Sequence, residues 1–376
     1  GVIFMMRKIE ELLKDRGLLE SMGITCDISV NEIKKGKVNH IFKLTDINKN
    51  LSYILKKSET KLAGLNMPIV SGFNISVLRN HNEANVLQYI ANNISETYVP
   101  RVVMTSKEDA FFVMEFLEDY EDVRDVFLKM KIPTNFAKSL SNILADIYLK
   151  TLDVTEETIG IENRCMLDVI MMLLVKVPYE VSMVKANKAL VDVDFFVESL
   201  EKKELIPSVM ELAYKLKSCK QALLNGDLHL GSIFYKESNY RIYDYEFAFK
   251  GPVGYEIGKI IAHMILAYYY VCSLENGIIA EGILEQLVEF FDEIIGKLEK
   301  NDAFSNSPIK EDTIRFCGLE LISRVTGILQ LKYITEIKDT TIKDKMQKKI
   351  FKIGSEMIKG KVKIATGKEL ADYVSG

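Results

Sequence analysis

One short block of sequence restricts this chain more than any other. The run NGDLHLGS over Asn225–Ser232 places an Asp beside a His in a tight glycine-containing turn, after an apolar, helix-like run that ends at Leu224. Two short strands joined by a polar turn follow, and the second leads into Asp244 and Glu246. Side chains at i and i+2 of a strand point to the same side, so these two carboxylates are predicted to share one face.

This layout is typical of a phosphoryl transferase. Asp227 can orient or deprotonate an attacking hydroxyl group, and Asp244 with Glu246 can hold Mg²⁺ on nucleotide phosphates, because carboxylate oxygens are ligands that this cation prefers. The alternative is a β-hairpin with solvated acids. It is the weaker interpretation, because Asp is poor in strand interiors and here stands among apolar and aromatic neighbours.

Length and charge narrow the class of protein. A chain of 376 residues with 48% hydrophobic residues predicts two domains or one bilobal unit with an ample core. The net charge of −4 gives no indication of a nucleic-acid surface. The five cysteines include no CxxC pair, so neither a disulfide framework nor a cysteine metal site is predicted.

Neither a signal peptide nor a membrane span is predicted. Residues 1–6 are too few for the apolar core of a signal peptide and lead into a charged run. The longest apolar run covers 260–272, includes His263, and is shorter than the roughly 20 residues that cross a bilayer. A cytoplasmic protein with no membrane partner is therefore predicted, and this run is interpreted as a buried helix.

Hydrophobic periodicity separates a sheet-rich beginning from a helical remainder. Strands are predicted over 28–33, 38–44, 51–55, 102–104 and 111–115. Helices are predicted over 7–20, 76–92, 134–151, 165–176, 190–201, 207–220, 254–273, 280–298, 310–335 and 342–359, with strands in 233–249 as the interruption. We therefore predict an α+β fold with a nucleotide-binding N-lobe over 1–115 and a mainly helical, catalytic C-lobe over 116–376.

The N-lobe offers candidates for each part of a nucleotide site. Gly36 and Asn39 belong to a loop between two strands that could cover phosphates, although an ordinary turn explains it equally well. Lys56 ends a strand and could reach the α- and β-phosphates; a solvated edge charge is the alternative. Glu83, on the following helix, could pair with that lysine rather than face solvent.

A hinge strand completes the set of nucleotide contacts. The run Val113–Leu117 could contact adenine through its backbone, which makes Glu115 and Leu117 candidate nucleotide-binding residues. Each part of the set is weak evidence taken singly. Their order along the chain, upstream of the Asp227 and Asp244 loops, is much stronger evidence.

The block over 225–258 closely resembles the methylthioribose kinase family, within the larger group of aminoglycoside-phosphotransferase and choline-kinase-like folds. The family patterns HGDLHTGS and DPEFAFYGPMGFDIG correspond to NGDLHLGS and DYEFAFKGPVGYEIG here. The similar segments elsewhere are Gly36–Asn39 (glycine loop), Leu55–Lys57 (VKQ), Glu83–Leu87 (αC), Val113–Glu115 (hinge VMEDL), Asn163 with Cys165 and Pro178–Tyr179, and Arg324 with Gly327 (RR-x-x-G).

The resemblance implies a bilobal protein-kinase-like fold that uses ATP and Mg²⁺. It implies that Asp227 is the catalytic base for, or orients, the 1-hydroxyl of a ribose-like sugar, and that Asp244 and Glu246 ligate Mg²⁺. It also implies that Lys56 binds phosphate and that Arg324 neutralises transition-state charge or holds the substrate. A homodimer is implied by the resemblance alone.

The chain departs from the family pattern at six positions. They are Asn225 for His, Leu230 for Thr, Tyr245 for Pro, Glu256 for Asp, Phe116 for the hinge Asp, and Ser323 for the first Arg of the twin pair. The base and metal positions are retained, which indicates retained phosphoryl transfer with a sugar pocket that could differ.

Three functions are left open at this point. The first is a methylthioribose kinase of methionine salvage. The second is a sister kinase for 5-deoxyribose, another 5-substituted pentose, or a small acceptor such as an aminoglycoside or choline. The third is a non-catalytic pseudokinase, which Asn225 and Ser323 favour and the three retained acidic positions oppose.

Overall fold

The computed structural model forms two compact units. It describes residues 9–14, 17–21, 23–24, 28–35, 39–58, 76–329 and 331–376. The sheet unit comprises the described residues of Gly1–Tyr120 together with Glu157–Met166 and Ile242–Ala248. The helical unit comprises Glu121–Glu156, Leu167–Arg241 and the described residues of Phe249–Gly376. Two segments that are distant in sequence thus pack with the N-terminal part.

The described strands are short and the described helices dominate the C-terminal part. The strands are β1 Ile28–Lys35, β2 Asn39–Asp46, β3 Leu51–Ser58, β4 Val102–Ser106, β5 Phe111–Glu115, β6 Glu121–Asp122, β7 Ala222–Leu224, β8 Ile233–Lys236, β9 Asn239–Ile242 and β10 Phe249–Gly251. The helices are α1 Leu18–Ser21, α2 Arg79–Asn93, α3 Val123–Leu128, α4 Phe136–Lys150, α5 Glu156–Ile159, α6 Arg164–Met171, α7 Val181–Lys185, α8 Val193–Glu201, α9 Ile206–Ser218, α10 Val253–Ser273, α11 Gly277–Leu298, α12 Asp302–Ser305, α13 Ile309–Thr326, α14 Lys332–Thr335, α15 Thr340–Ile358 and α16 Gly367–Ser375.

The sheet unit is built on a five-stranded antiparallel sheet with the order β1-β2-β3-β5-β4. Phe42, Leu44, Leu55 and Val113 are fully buried in its core. On β2, buried residues alternate with partly exposed ones from His40 onward, as expected for a strand with one face on the core. The predicted strands of this sheet are present, and the predicted helix over 76–92 corresponds to α2.

The helical unit has α10 at its centre. Almost the whole of α10 is buried, which agrees with the apolar run seen in the sequence. It packs on α13 so closely that a Cβ at Gly258 would lie 2.5 Å from the carbonyl oxygen of Thr313 and 2.7 Å from the nitrogen of Cys317. Two small sheets accompany these helices. One pairs β7 with β10, and the other has the strand order β6-β8-β9. No described helix is long and apolar enough to cross a membrane.

Three local predictions were wrong. The helix predicted over 310–335 ends at Thr326, where Gly327 leaves the helical conformation, and α14 is separate. The apolar run that ends at Leu224 is not helical at its end, because residues 222–224 form the buried strand β7. Residues 172–176, predicted to continue an α-helix, form a π-helical turn. Gly36, a candidate nucleotide-binding residue, lies outside the described residues.

Candidate active site

In the sheet unit, Lys56 is the centre of a buried ion cluster. It lies on β3, is 4% exposed, and donates from Nζ to Glu83 Oε2 on α2 at 2.6 Å and to Asp244 Oδ1. Because successive side chains of a strand point to opposite faces, Lys57 lies on the other face of β3, where its ammonium group donates to the carbonyl of Asp109. Burial alone would lower the pKa of Lys56, but the carboxylates of Asp244, Glu83 and Glu246 outweigh it and raise that pKa. Lys56 is therefore a fixed positive charge.

The two carboxylates of the D-x-E segment do not share a strand face, which corrects the geometry expected from the sequence. Strand β9 ends at Ile242, Asp244 has a left-handed backbone with φ of +66°, and Glu246 lies in a 3₁₀ turn over Tyr245–Phe247. Asp tolerates this conformation better than most residues. The side chain of Asp244 is 37% exposed, whereas that of Glu246 is 6% exposed, so the two acids have different environments.

Glu246 is held by two polar side chains that reach it from elsewhere in the sheet unit. Its Oε2 accepts from Asn39 Nδ2 at 2.8 Å and from Arg79 Nε at 3.1 Å, and Arg79 also donates to Asn39 Oδ1 at 2.9 Å. Asn163 fixes the backbone of the same turn, since its Nδ2 donates to the carbonyls of Glu246 and Ala248. The sequence did not predict Arg79, because an arginine in the first turn of a helix is ordinarily a surface residue.

The carboxylates of the sheet unit suit a magnesium ion that also binds phosphate. No group of three or more His, Cys, Asp or Glu among the described residues could hold a metal ion. Mg²⁺ usually takes one or two carboxylates and completes its shell with water and substrate phosphates. Asp244, partly exposed and bearing hard oxygen donors, matches that requirement, and Glu246 supplies a second carboxylate two residues away.

The helical unit presents Asp227 on a tight loop. Gly226 has φ of +87°, a conformation that favours glycine. The side chain of Asp227 is 38% exposed, and its Oδ1 accepts from Lys259 Nζ at 2.7 Å; Arg324 Nη2 lies 4.0 Å from the same oxygen. Burial alone would raise the pKa of Asp227, but Lys259, His229 and Arg324 together hold it below its ordinary value. Asp227 is therefore ionised at neutral pH.

Glu320 accepts hydrogen bonds from both cations near Asp227, Lys259 and Arg324. Its Oε1 accepts from Arg324 Nε at 2.6 Å, from Lys259 Nζ at 3.3 Å, and lies 3.1 Å from His263 Nε2. Burial opposes ionisation of Glu320, yet Arg324 and Lys259 bring its pKa well below the usual range. Burial lowers the pKa of His263 to about 3, so this imidazole is neutral. The ionised groups Asp227, Lys259, Glu320 and Arg324 thus sum to zero charge.

Lys259 and Glu320 were missed from the sequence. Lys259 directly precedes the apolar run of α10, and a charged residue beside so apolar a segment was the available signal. It is spaced three residues after Glu256 and four before His263, so the three share one face of the helix. Glu320 precedes the predicted Arg324 by one helical turn.

The backbone of the Asp227 loop is fixed by three buried or partly buried side chains. Glu256 Oε2 accepts from the Gly226 amide at 2.9 Å, while its Oε1 accepts from the Tyr148 hydroxyl at 3.0 Å. The Tyr255 hydroxyl donates to the Gly226 carbonyl at 2.8 Å. On the other side of the loop, His229 Nδ1 accepts from the Gly231 amide at 3.0 Å, which fixes the turn that follows Asp227.

Glu256 gives the protein a pH-dependent stability. Burial raises the pKa of Glu256 from 4.5 to about 7. The hydrogen bonds from Gly226, Tyr148 and Asn225 and the charge of Lys259 lower this pKa but do not outweigh burial. An acid whose pKa is raised on folding stabilises the folded state below the unfolded pKa, and this is lost as pH rises through the folded pKa. We expect about 3 kcal/mol to be lost between pH 4.5 and 7 through this group.

The variant Glu256→Gln tests that expectation. The amide keeps an acceptor for Gly226 but cannot ionise, so its melting temperature should fall less between pH 5 and pH 8 than that of the wild type. Glu281→Gln, on an exposed position of α11, is the matched control and should keep the wild-type slope. Equal slopes in all three proteins would contradict the role of Glu256.

The remaining predicted site residues are placed as follows. Glu115 ends β5, and its side chain accepts from the amide of Arg101 at 2.9 Å. Leu117 follows it, with its carbonyl accepting from the Tyr120 amide at 3.4 Å. Adenine binding by their backbone stays a prediction. The structure thus brings Asn39, Lys56, Glu83, Asp244 and Glu246 together in the sheet unit, and Asp227 and Arg324 together in the helical unit.

Comparison with known proteins decides the relationship. No family model matches the chain. A methylthioribose kinase of Exiguobacterium sibiricum is 27% identical over 393 residues, which cover 98% of this chain and 97% of that one. A methylthioribose kinase of Bacillus cereus is 27% identical over 92% of this chain and 90% of its own. The chain is a homologue of the methylthioribose kinases.

The fold agrees with this relationship. A solved glucosamine kinase, in complex with glucosamine, ADP and inorganic phosphate, superposes with a TM-score of 0.53 over 89% of this chain and 84% of that one, at 12% identity. The predicted protein-kinase-like α+β fold is confirmed. The prediction of an ATP-dependent phosphotransferase that uses a hydroxyl group of a small molecule as acceptor is confirmed as well.

Proposed function

We propose that the chain transfers the γ-phosphoryl group of ATP to the anomeric hydroxyl of 5-methylthioribose. The observation that carries this proposal is the similarity to curated methylthioribose kinases over nearly the whole length of both chains. The site residues are consistent with it, since the sheet unit has a fixed cation beside carboxylates and the helical unit has an ionised, partly exposed aspartate.

The sheet unit binds the nucleotide in this proposal. Lys56 contacts the ATP phosphates, and Glu83 keeps its ammonium group in place through the 2.6 Å bond. Asp244 and Glu246 would hold Mg²⁺, which when bound would neutralise charge on the phosphate oxygens. Asn39, Arg79 and Asn163 keep the D-x-E turn in a single conformation through their hydrogen bonds.

The helical unit acts on the acceptor. The sugar oxygen forms a bond to the γ-phosphorus while the bond from that phosphorus to the β–γ bridging oxygen breaks, and ADP leaves. Asp227 orients the hydroxyl group and accepts its proton, and Arg324 adds positive charge that offsets the charge of the transferred group. In a loose transition state, positioning and charge contribute more than deprotonation does.

The charge around Asp227 favours a neutral acceptor over a cationic one. Asp227 and Glu320 are balanced by Lys259 and Arg324 within hydrogen-bonding or ion-pairing distance. Kinases for polycationic acceptors benefit from an acidic cleft that concentrates the substrate. This cluster has no net negative charge, which supports a sugar rather than an aminoglycoside or choline-like substrate.

Another 5-substituted pentose such as 5-deoxyribose is the second candidate. Ser323 favours it, because this serine stands where the family pattern has an arginine, and its hydroxyl donates to the Leu173 carbonyl at 3.2 Å instead. A pseudokinase is disfavoured by the retained Lys56, Asp227 and Asp244. The homodimer and the cytoplasmic location stay predictions.

The test is ADP release by the purified protein with Mg²⁺ and ATP. 5-Methylthioribose, 5-deoxyribose, ribose, choline and kanamycin are compared in parallel with a sample that lacks acceptor. We expect selective turnover of 5-methylthioribose. Faster turnover of another acceptor would identify that compound, and not 5-methylthioribose, as the substrate. ADP release with none of the five acceptors would contradict the proposal.

A further inference from the structure

We propose that Lys259 is a positioning residue for the phosphoryl transfer, with its ammonium group fixing the carboxylate of Asp227 toward the acceptor. This inference rests on the proposed function of Asp227. The family resemblance implied Arg324 as the cation that neutralises transition-state charge or holds the substrate. Lys259 makes the closer contact with Asp227: 2.7 Å from Nζ to Oδ1, against 4.0 Å for Arg324 Nη2.

The side chain of Lys259 has little freedom to do anything else. It is 4% exposed, and its ammonium group lies between Asp227 Oδ1 and Glu320 Oε1 at 3.3 Å. A buried cation is stable only when it is paired and hydrogen-bonded. Glu320 is itself held by Arg324 at 2.6 Å, and both residues lie on α13. This helix therefore fixes the position of Lys259 through Glu320.

The packing of the helices makes this arrangement possible. Gly258 directly precedes Lys259 and lets α10 approach the backbone of α13 at Thr313 and Cys317 without a side chain between them. Lys259 and His263 are one turn apart on α10, and Glu320 and Arg324 are one turn apart on α13. The two pairs therefore meet through Glu320, and Lys259 extends the network to the Asp227 loop.

The contact has a direct consequence for the acceptor. It uses one acceptor site of Asp227 Oδ1, and Oδ2 takes no part in it, so we expect Oδ2 to receive the acceptor hydroxyl. The cation also keeps the carboxylate ionised, together with His229 and Arg324. The described titratable groups that interact with Asp227 or with the cations beside it include Lys259, His263, Glu256 and Tyr255 of α10, Glu320 and Arg324 of α13, and His229 of its own loop.

A purely structural charge pair is the competing interpretation, and the pH profile separates the two. In Lys259→Met, the pKa of Asp227 should rise by at least about one unit, since an opposite charge at this distance lowers the pKa of a carboxyl by 1–3 units. The apparent pKa of the acid limb in the pH profile of kcat/KM should rise by the same amount, and kcat should fall about tenfold or more. Lys259→Arg keeps the charge and should restore most of that limb.

Lys250 provides the matched control. It is a buried lysine of the same unit, 7% exposed, whose Nζ donates to the carbonyls of Thr151, Leu152 and Val154. Lys250→Met should lower the melting temperature while leaving the acid limb in place. If Lys259→Met behaves in the same way, Lys259 is structural and the proposal is overturned.

A second measurement does not depend on turnover. The carboxyl carbon of Asp227 can be titrated by carbon-13 NMR in the wild type, in Lys259→Met and in Lys250→Met, with Asp227→Asn giving the assignment. A pKa that rises in Lys259→Met but not in Lys250→Met would show that Lys259 sets the charge of Asp227 in the free protein, a condition of the positioning role that holds whichever sugar is phosphorylated. An unchanged pKa would overturn it, whatever the acceptor assay shows.

Discussion

Asp227→Asn is expected to lower kcat by about 10²–10⁴-fold, the range typical of a lost general base. The amide is nearly isosteric, and its oxygen can still accept from Lys259 Nζ, so the loop keeps its conformation. It cannot take the proton of the acceptor hydroxyl. Nucleotide binding should be retained, because Asp227 and the Lys56 cluster belong to different units of the chain.

Two measurements on the same protein test this expectation. Initial rates of ADP release give kcat, and the rise in melting temperature with Mg²⁺ and ATP reports nucleotide binding. Asp192→Asn is the control, since Asp192 is a partly exposed aspartate of the helical unit that caps α8 by accepting from the Phe195 amide at 3.1 Å. Near-normal turnover in Asp227→Asn would remove Asp227 from the catalytic role.

The elements with strong periodicity could be predicted from the sequence. Strand β2 alternates clearly, and α10 and α11 have long apolar faces, so local pattern and tertiary burial agree. The secondary-structure predictions were wrong where the local sequence pattern and the tertiary contacts do not agree. The buried residues 222–224 form a strand because β10 pairs with them, and a pairing partner 25 residues away is invisible in a local window.

The candidate site was predictable where a residue type and a spacing define the chemistry. Lys56, Asp227 and Asp244 follow from their motifs. The side chains that fix them come from distant segments: Arg79 lies 167 residues from Glu246, and Lys259 lies 61 from Glu320. Burial turns these ordinary surface charges into parts of a network, and burial is a property of the folded chain.

Lys56→Met is expected to abolish detectable nucleotide binding and to lower the free energy of unfolding by about 3–5 kcal/mol. The substitution removes the cation that pairs with Glu83 and Asp244, and Glu83 is 0% exposed with no solvent to replace it. Burial already raises the pKa of Glu83 to about 8 in the wild type, against the charge of Lys56, and removal of that charge raises the pKa further. The difference in stability between the variant and the wild type should therefore grow as pH rises above about 8, where Glu83 ionises in the wild type while the carboxyl group of the variant keeps its proton.

Two variants separate stability from binding. Lys57→Met changes the next residue of β3, whose ammonium group bonds a backbone carbonyl on the other side of the strand, and should keep both ATP binding and the wild-type pH dependence. Lys56→Met with Glu83→Gln removes the unpaired carboxylate and should recover much of the stability while still failing to bind ATP. A double variant that regains the ATP-dependent rise in melting temperature would show that Lys56 acts only by neutralising Glu83, because phosphate contact requires the ammonium group itself.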